Sequence, residues 1–136
     1  MSPFQAKPQA KRILVVDDLE DNLFLLETIL TEEGYEVDTA LNGKSALTKV
    51  ESSPPDLVLM DAMMPGMDGY EVTRRIRQNK KLPFIPILLL TAYVEADAPK
   101  GLDLGANDFI RKPIDYDELM ARIKAFLRLK GSVPSQ

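Results

Sequence analysis

Two adjacent aspartates, Asp17 and Asp18, directly follow the apolar run ILVV at residues 13–16. Like charges repel, so neighbouring carboxylates at the end of a buried-looking segment need a physical reason. A third carboxylate, Asp61, ends a second apolar run, LVLM at residues 57–60. Carboxylates gathered at one place are typical of a site for a hard divalent cation such as Mg²⁺. These three residues are therefore the candidate metal ligands.

A hydroxyl group and an ammonium group end two further runs of the chain. Thr91 ends IPILLLT, and Lys112 ends DFIRK. A cation and Lys112 would neutralise the oxygens of a phosphoryl group, and Thr91 would donate a hydrogen bond to it. One of the carboxylates would then serve as the nucleophile. Asp61 is the predicted nucleophile, because its strand lies between the aspartate pair and the Thr91/Lys112 pair.

The composition restricts the chemistry further. The 136 residues include no cysteine and no histidine, which excludes disulfides, thiolate nucleophiles and imidazole metal ligands. The formal net charge of −4 argues against general binding to nucleic acid or to a membrane surface. The N-terminus lacks the apolar core of a signal peptide, and no apolar run approaches the roughly 20 residues of a membrane span. A cytoplasmic location is therefore predicted.

Strand-like and helix-like segments alternate along the chain. Strands are predicted at residues 12–17, 35–40, 56–61, 85–91 and 108–112. Helices are predicted at residues 19–33, 42–51, 68–78, 95–105 and 115–130, although Pro99 interrupts the pattern of the fourth helix. Asp68 and Asp115 are the predicted N-terminal caps of the third and fifth helices. Five strands alternating with five helices predict an α/β fold with a doubly wound parallel sheet.

The strand ends of such a sheet are where ligands bind, at the point where the strand order reverses. The candidate acids, Thr91 and Lys112 all follow strands at this predicted edge. The second strand ends at Ala40 without a comparable polar group, as expected for an edge strand away from the site. Residues 1–10 and 131–136 are predicted to be a disordered segment and a tail, which leaves one domain at residues 11–130.

Four stretches resemble a known family. ILVVDD, PDLVLMDAMMPGMDGYE, ILLLTA and GANDFIRKPID are similar to the receiver domains of response regulators, which act in two-component signalling. The resemblance covers residues 12 to about 130, and the stretches occur in the family's order with its separations. It implies the flavodoxin-like, CheY-like fold with the strand order 2-1-3-4-5.

The resemblance also implies a role for each candidate residue. Asp61 matches the phosphoacceptor, and Phe109 matches an aromatic residue that turns inward when Thr91 moves. The implied metal ligands for Mg²⁺ are Asp17, Asp18, Asp61 and the backbone carbonyl of Met63, and the implied phosphoryl-binding groups are Thr91, the Ala92 backbone N–H and Lys112. The Lys112–Pro113 peptide bond is expected to be cis, as in the family.

The implied function is a regulatory switch rather than an enzyme. Asp61 would accept a phosphoryl group from a partner, either a sensor histidine kinase or a phosphotransfer protein, in a Mg²⁺-dependent reaction. The movement of Thr91 and Phe109 would then alter the face formed by residues 92–130, which in the family serves dimers or effector partners.

Two alternatives use the same sequence differently. A Mg²⁺-dependent phosphohydrolase could also form an aspartyl phosphate, but the haloacid-dehalogenase type carries Asp-x-Asp, whereas Asp18 here follows Asp17 directly. An interaction module that works without phosphorylation is the other alternative, and the complete set of acids, Thr91 and Lys112 argues against it.

Overall fold

The computed structural model describes residues 10–92 and 105–132, with side chains as far as Arg128. Five strands lie in these ranges: β1 Arg12–Val16, β2 Glu36–Ala40, β3 Leu57–Asp61, β4 Ile87–Thr91 and β5 Asp108–Arg111. Four helices accompany them: α1 Glu20–Glu32, α2 Gly43–Ser52, α3 Gly69–Gln78 and α4 Tyr116–Ser132. The helix predicted at residues 95–105 lies outside the described residues, apart from Gly105.

The five strands form one parallel sheet in the order β2-β1-β3-β4-β5, which confirms the predicted order and the edge position of β2. The strand ends are level with one another. Val16 pairs with Met60, Asp61 pairs with Leu90, and Thr91 pairs with Arg111. All five carboxyl ends therefore meet at one edge, and the order reverses between β1 and β3.

Apolar side chains cover both faces of the sheet, as a parallel sheet requires. All residues of β3 and β4 are buried. Along β1, Leu14 and Val16 join a cluster with residues of α2 and α3, whereas Ile13 and Val15 join a second cluster with residues of α1 and α4. This alternation follows from the two-residue period of a strand, and two of the described helices lie on each face.

Side-chain caps fix where three of the helices begin after their strands. Asn42 Oδ1 accepts from Ser45 N at 2.8 Å, Asp68 Oδ1 accepts from Glu71 N at 2.9 Å, and Asp115 Oδ1 accepts from Glu118 N at 3.2 Å. The predicted caps at Asp68 and Asp115 are thus confirmed. Helix α4 continues to Ser132, two residues beyond the predicted domain end at residue 130. Among the described helices, none is both long and apolar enough to cross a membrane.

Candidate functional site

The three candidate acids come together at the reversal point of the sheet. Asp17 and Asp18 follow β1, and Asp61 is the last residue of the neighbouring strand β3. Each contributes a carboxylate oxygen to a group in which all atoms lie within 4.8 Å of one another. Asp17 and Asp61 are buried, and Asp18 is partly buried. Strand pairing alone accounts for this convergence, because parallel neighbours end at the same edge.

Asp17 is the most enclosed of these acids, with 1% of its surface exposed. Its Oδ1 accepts a hydrogen bond from Leu19 N at 3.0 Å, and its Oδ2 accepts one from Asn22 Nδ2 at 3.3 Å. Burial raises the pKa of the Asp17 carboxyl above its ordinary value, and the charge of Asp61 raises it further, against the opposing effect of these hydrogen bonds and of Lys112. The ionised form of Asp17 is therefore less favourable here than in water.

Among the described residues, Lys112 is the cationic neighbour of Asp61. Lys112 Nζ lies 3.4 Å from Asp61 Oδ2, while Asp61 Oδ1 accepts a hydrogen bond from Met63 N at 3.1 Å. The Lys112–Pro113 peptide bond is cis, which confirms that expectation. The Met63 backbone thus lies beside Asp61, and the metal-binding role of its carbonyl stays a prediction.

The other predicted residues occupy the adjoining strand ends. Thr91 is buried at the end of β4, and its carbonyl accepts a hydrogen bond from Lys112 N at 2.7 Å. Ala92 follows it and is exposed. Phe109 lies in β5 opposite Leu89 and is half-buried against the apolar cluster under α2 and α3. The structure therefore places these residues beside the strand of Asp61, and their roles in phosphoryl binding and switching stay predictions.

Gly69 lies close to the end of β3 that carries Asp61, although the sequence analysis did not identify it. A Cβ atom at this position would lie 2.6 Å from the Asp61 carbonyl oxygen and 2.9 Å from Ala62 Cα. Gly69 N also donates to the Ala62 carbonyl at 2.9 Å. Only glycine allows α3 to begin this close to the end of β3.

Asn22 is the second residue that the sequence analysis missed. A signal for it exists in the sequence, because Asn22 lies four residues before Leu26 and therefore on the inward side of α1. A polar side chain on that side, one turn after the aspartate pair, points toward the acids rather than toward solvent.

The residues present fit a hard divalent cation. The donor set consists of three carboxylates, and the chain has no cysteine or histidine that would favour a softer metal. Mg²⁺ and Ca²⁺ prefer such oxygen ligands. A bound cation would also relieve the repulsion between Asp17 and Asp61, which otherwise lacks full compensation.

Comparisons with known proteins identify the family of this chain. The family model for the response regulator receiver domain matches residues 13–124. Response regulator PleD from Caulobacter vibrioides is 48% identical over 120 residues, which cover 88% of this chain and 26% of PleD. The chain thus spans about a quarter of the length of that relative.

Solved structures show the same fold. A putative response regulator from Chloroflexus aurantiacus is 36% identical, with a TM-score of 0.84 over 88% of this chain and 99% of that one. Response regulator protein TrrA from Thermotoga maritima, solved in complex with Mg(2+)-BeF, is 44% identical, with a TM-score of 0.77 over 85% of this chain and 98% of that one. The match of the family model over residues 13–124 shows that this chain belongs to the family of response regulator receiver domains.

Proposed function

We propose that the chain is a phosphoacceptor switch of two-component signalling, in which Asp61 takes a phosphoryl group from a phosphorylated histidine of a partner. The observation that carries this proposal is the position of Asp61, in a cluster of three carboxylates with Lys112 Nζ 3.4 Å from its Oδ2. The family supports it, as does the Mg(2+)-BeF complex of the related TrrA.

In the proposed reaction, an oxygen of Asp61 forms a bond to phosphorus. The bond between phosphorus and the histidine nitrogen of the donor breaks, and its electron pair stays on that nitrogen. Lys112 offsets the negative charge of the incoming phosphoryl oxygens, and the Thr91 hydroxyl and the Ala92 N–H donate hydrogen bonds to them. These 136 residues include no histidine, so the donor histidine lies outside them, in a sensor histidine kinase or a phosphotransfer protein.

Asp17, Asp18, Asp61 and the Met63 carbonyl would hold Mg²⁺ in this proposal. When bound, Mg²⁺ supplies the positive charge that compensates the carboxylates and the phosphoryl oxygens. The buried Asp17 contributes a carboxylate whose two oxygens are already hydrogen-bonded, so little rearrangement is needed on binding.

The proposed output is a changed surface rather than a released product. Thr91 would move toward the phosphoryl group, and Phe109 would follow it inward and change the face of residues 92–130, where a second copy or an effector domain would bind. The chemistry of the chain would be limited to gaining and losing the phosphoryl group on Asp61. The same proposal places the receiver domain at residues 11–130 and its action in the cytoplasm.

The test is the intact mass of the protein after incubation with acetyl phosphate, with and without Mg²⁺. We expect a single hydroxylamine-labile phosphoryl adduct on the wild type with Mg²⁺, and none on Asp61→Asn. Asp117→Asn is the matched control, because Asp117 is an exposed aspartate on α4, and it should form the adduct like the wild type.

Two other results would each favour an alternative. Continuous release of phosphate from small phosphate esters would favour a phosphohydrolase. A folded wild type that forms no adduct, and that also fails to bind fluoroberyllate with Mg²⁺, would favour an interaction module.

A further inference from the structure

Asn22 contacts the acid site through one hydrogen bond. It is the third residue of α1, half-buried, and its Nδ2 donates to Asp17 Oδ2 at 3.3 Å. The other oxygen of the same carboxylate accepts from Leu19 N at 3.0 Å. The Leu19 bond comes from the backbone and would form with almost any residue, whereas the bond to Oδ2 depends on the side chain at position 22.

Asn22 also lines a cavity that it shares with two residues of the site, Asp17 and Lys112. This cavity has a volume of about 190 Å³ and opens beside Asp17. The start of α1 forms one part of its wall, and the segment from Lys112 to Tyr116 forms another. Asn22 therefore borders both the Asp17 carboxylate and this cavity.

The chemistry of an amide suits this place. Asp17 shares the site with two other carboxylates, whose repulsion favours rotation of its side chain away from them. A neutral N–H donor restrains the carboxylate without bringing a positive charge that would compete with a cation. Lysine or arginine at position 22 would neutralise Asp17, and an aspartate would add a fourth negative charge.

We propose that Asn22 is a positioning residue, whose amide holds the Asp17 carboxylate in the orientation that receives a divalent cation together with Asp18 and Asp61. This inference rests on the proposed function, because it requires the Mg²⁺ site. Hydrogen-bond partners of metal ligands commonly change metal affinity about 10- to 100-fold. For one neutral hydrogen bond at 3.3 Å, we expect the lower end of that range.

The test compares Asn22→Ala and Asn22→Leu with Thr28→Ala and Thr28→Leu, because Thr28 is an exposed residue of the same helix. The leucine variant retains a side chain of similar size but has no donor. Titration calorimetry gives the dissociation constant for Mg²⁺, and acetyl phosphate gives the phosphorylation rate as a function of Mg²⁺ concentration. Urea unfolding in EDTA gives the metal-free stability.

For both Asn22 variants, we expect the Mg²⁺ dissociation constant to rise about 10-fold. The Mg²⁺ concentration for half-maximal phosphorylation should rise by the same factor. The phosphorylation rate at saturating Mg²⁺ should stay within about twofold of the wild-type rate, because Asn22 acts on metal binding and not on phosphoryl transfer. The Thr28 variants should match the wild type in both measurements.

Several outcomes would overturn the positioning role. If the Asn22 variants bind Mg²⁺ within about twofold of the Thr28 variants, Asn22 does not orient Asp17 for the cation. If both Asn22 variants lose their unfolding transition in EDTA, Asn22 is a structural residue only. If the wild type itself binds no Mg²⁺, the proposed function fails together with this inference. If the wild type and the Asn22 variants bind Mg²⁺ equally well, only the inference about Asn22 is overturned.

Discussion

At the scale of single residues, the acid site opposes the stability of the fold. Asp17 is 1% exposed and lies beside Asp61, at a position where an apolar side chain would pack without an electrostatic cost. Burial raises its pKa, which means that the folded chain resists the ionised form. We infer that this carboxylate is retained for cation binding and reduces the stability of the metal-free protein.

The electrostatic cost of burying the Asp17 carboxylate predicts how Asp17→Asn changes the stability of the metal-free protein. The ordinary pKa of Asp17 is 3.8, and its pKa in the folded protein is raised. At a pH between these two values, the folded protein binds more protons than the unfolded chain. The cost of Asp17 to stability therefore decreases as the pH falls through the raised pKa. In EDTA at pH 7, we therefore expect Asp17→Asn to unfold at a higher urea concentration than the wild type. The difference should shrink as the pH approaches 3.8.

Urea unfolding at a series of pH values in EDTA checks this prediction. Asp117→Asn, at an exposed position, should differ little from the wild type at any pH. A wild type that is more stable than Asp17→Asn at pH 7 without metal would contradict the expected sign.

At the scale of secondary-structure elements, one arginine connects three parts of the sheet's amino-terminal side. Arg77 on α3 donates from Nε to the Gly105 carbonyl and from Nη2 to Asn107 Oδ1, both at 2.8 Å. Asn107 Oδ1 also accepts from Ile87 N at 2.9 Å. The guanidinium lies 5.3 Å from the centre of the Phe84 ring. Arg77 therefore holds α3, the start of β4 and the turn before β5 together.

Loss of this connection should be costly. We expect Arg77→Met to lower the free energy of unfolding by about 3 kcal/mol, because two hydrogen bonds from a charged donor are lost, each contributing about 1.5–3 kcal/mol. Methionine retains the apolar part of the side chain. The matched control is Arg75→Met, whose guanidinium pairs with Glu71 on the exposed side of α3. That pair is exposed, so the control should change stability by about 0.5 kcal/mol or less.

Urea unfolding in EDTA measures both arginine variants. Equal effects of Arg77→Met and Arg75→Met would show that the contacts of Arg77 with Gly105 and Asn107 add nothing to ordinary helix-surface pairing.

At the scale of the whole molecule, the acid site links strands that are distant in sequence. Asp17 and Asp18 follow β1, Asp61 ends β3, and Lys112 follows β5. These groups converge only in the folded chain, so a cation that needs all three carboxylates binds the folded state and not the unfolded one. Mg²⁺ should consequently stabilise the entire domain by mass action.

We expect the free energy of unfolding of the wild type to increase with Mg²⁺ by about 1.4 kcal/mol for each tenfold increase above the dissociation constant. Asp18→Asn should show a much smaller increase, because one of the three carboxylates is removed. NaCl at matched ionic strength is the control, since the net charge of −4 makes screening by salt stabilising on its own. A wild type whose stability follows ionic strength alone would contradict the metal site.

Much of the fold was predictable, because strands and helix ends are indicated by residues that are close together in the sequence. Continuous apolar runs indicated the buried parallel strands, and Asp68 and Asp115 indicated where two helices begin. The fourth predicted helix lies almost wholly on residues outside the described ranges, so it stays a prediction. The family resemblance supplied the strand order, which periodicity alone does not determine.

The sequence by itself determined which chemical groups stand at the strand ends, because strand ends and polar side chains are both visible in the order of residues. The tertiary structure decided how those groups meet. The contact of Asn22 with Asp17, the approach of Gly69 to the Asp61 carbonyl and the bonds of Arg77 to the turn before β5 all join separate elements. Such contacts depend on how helices pack on the sheet, and a sequence pattern describes only the one element in which it occurs.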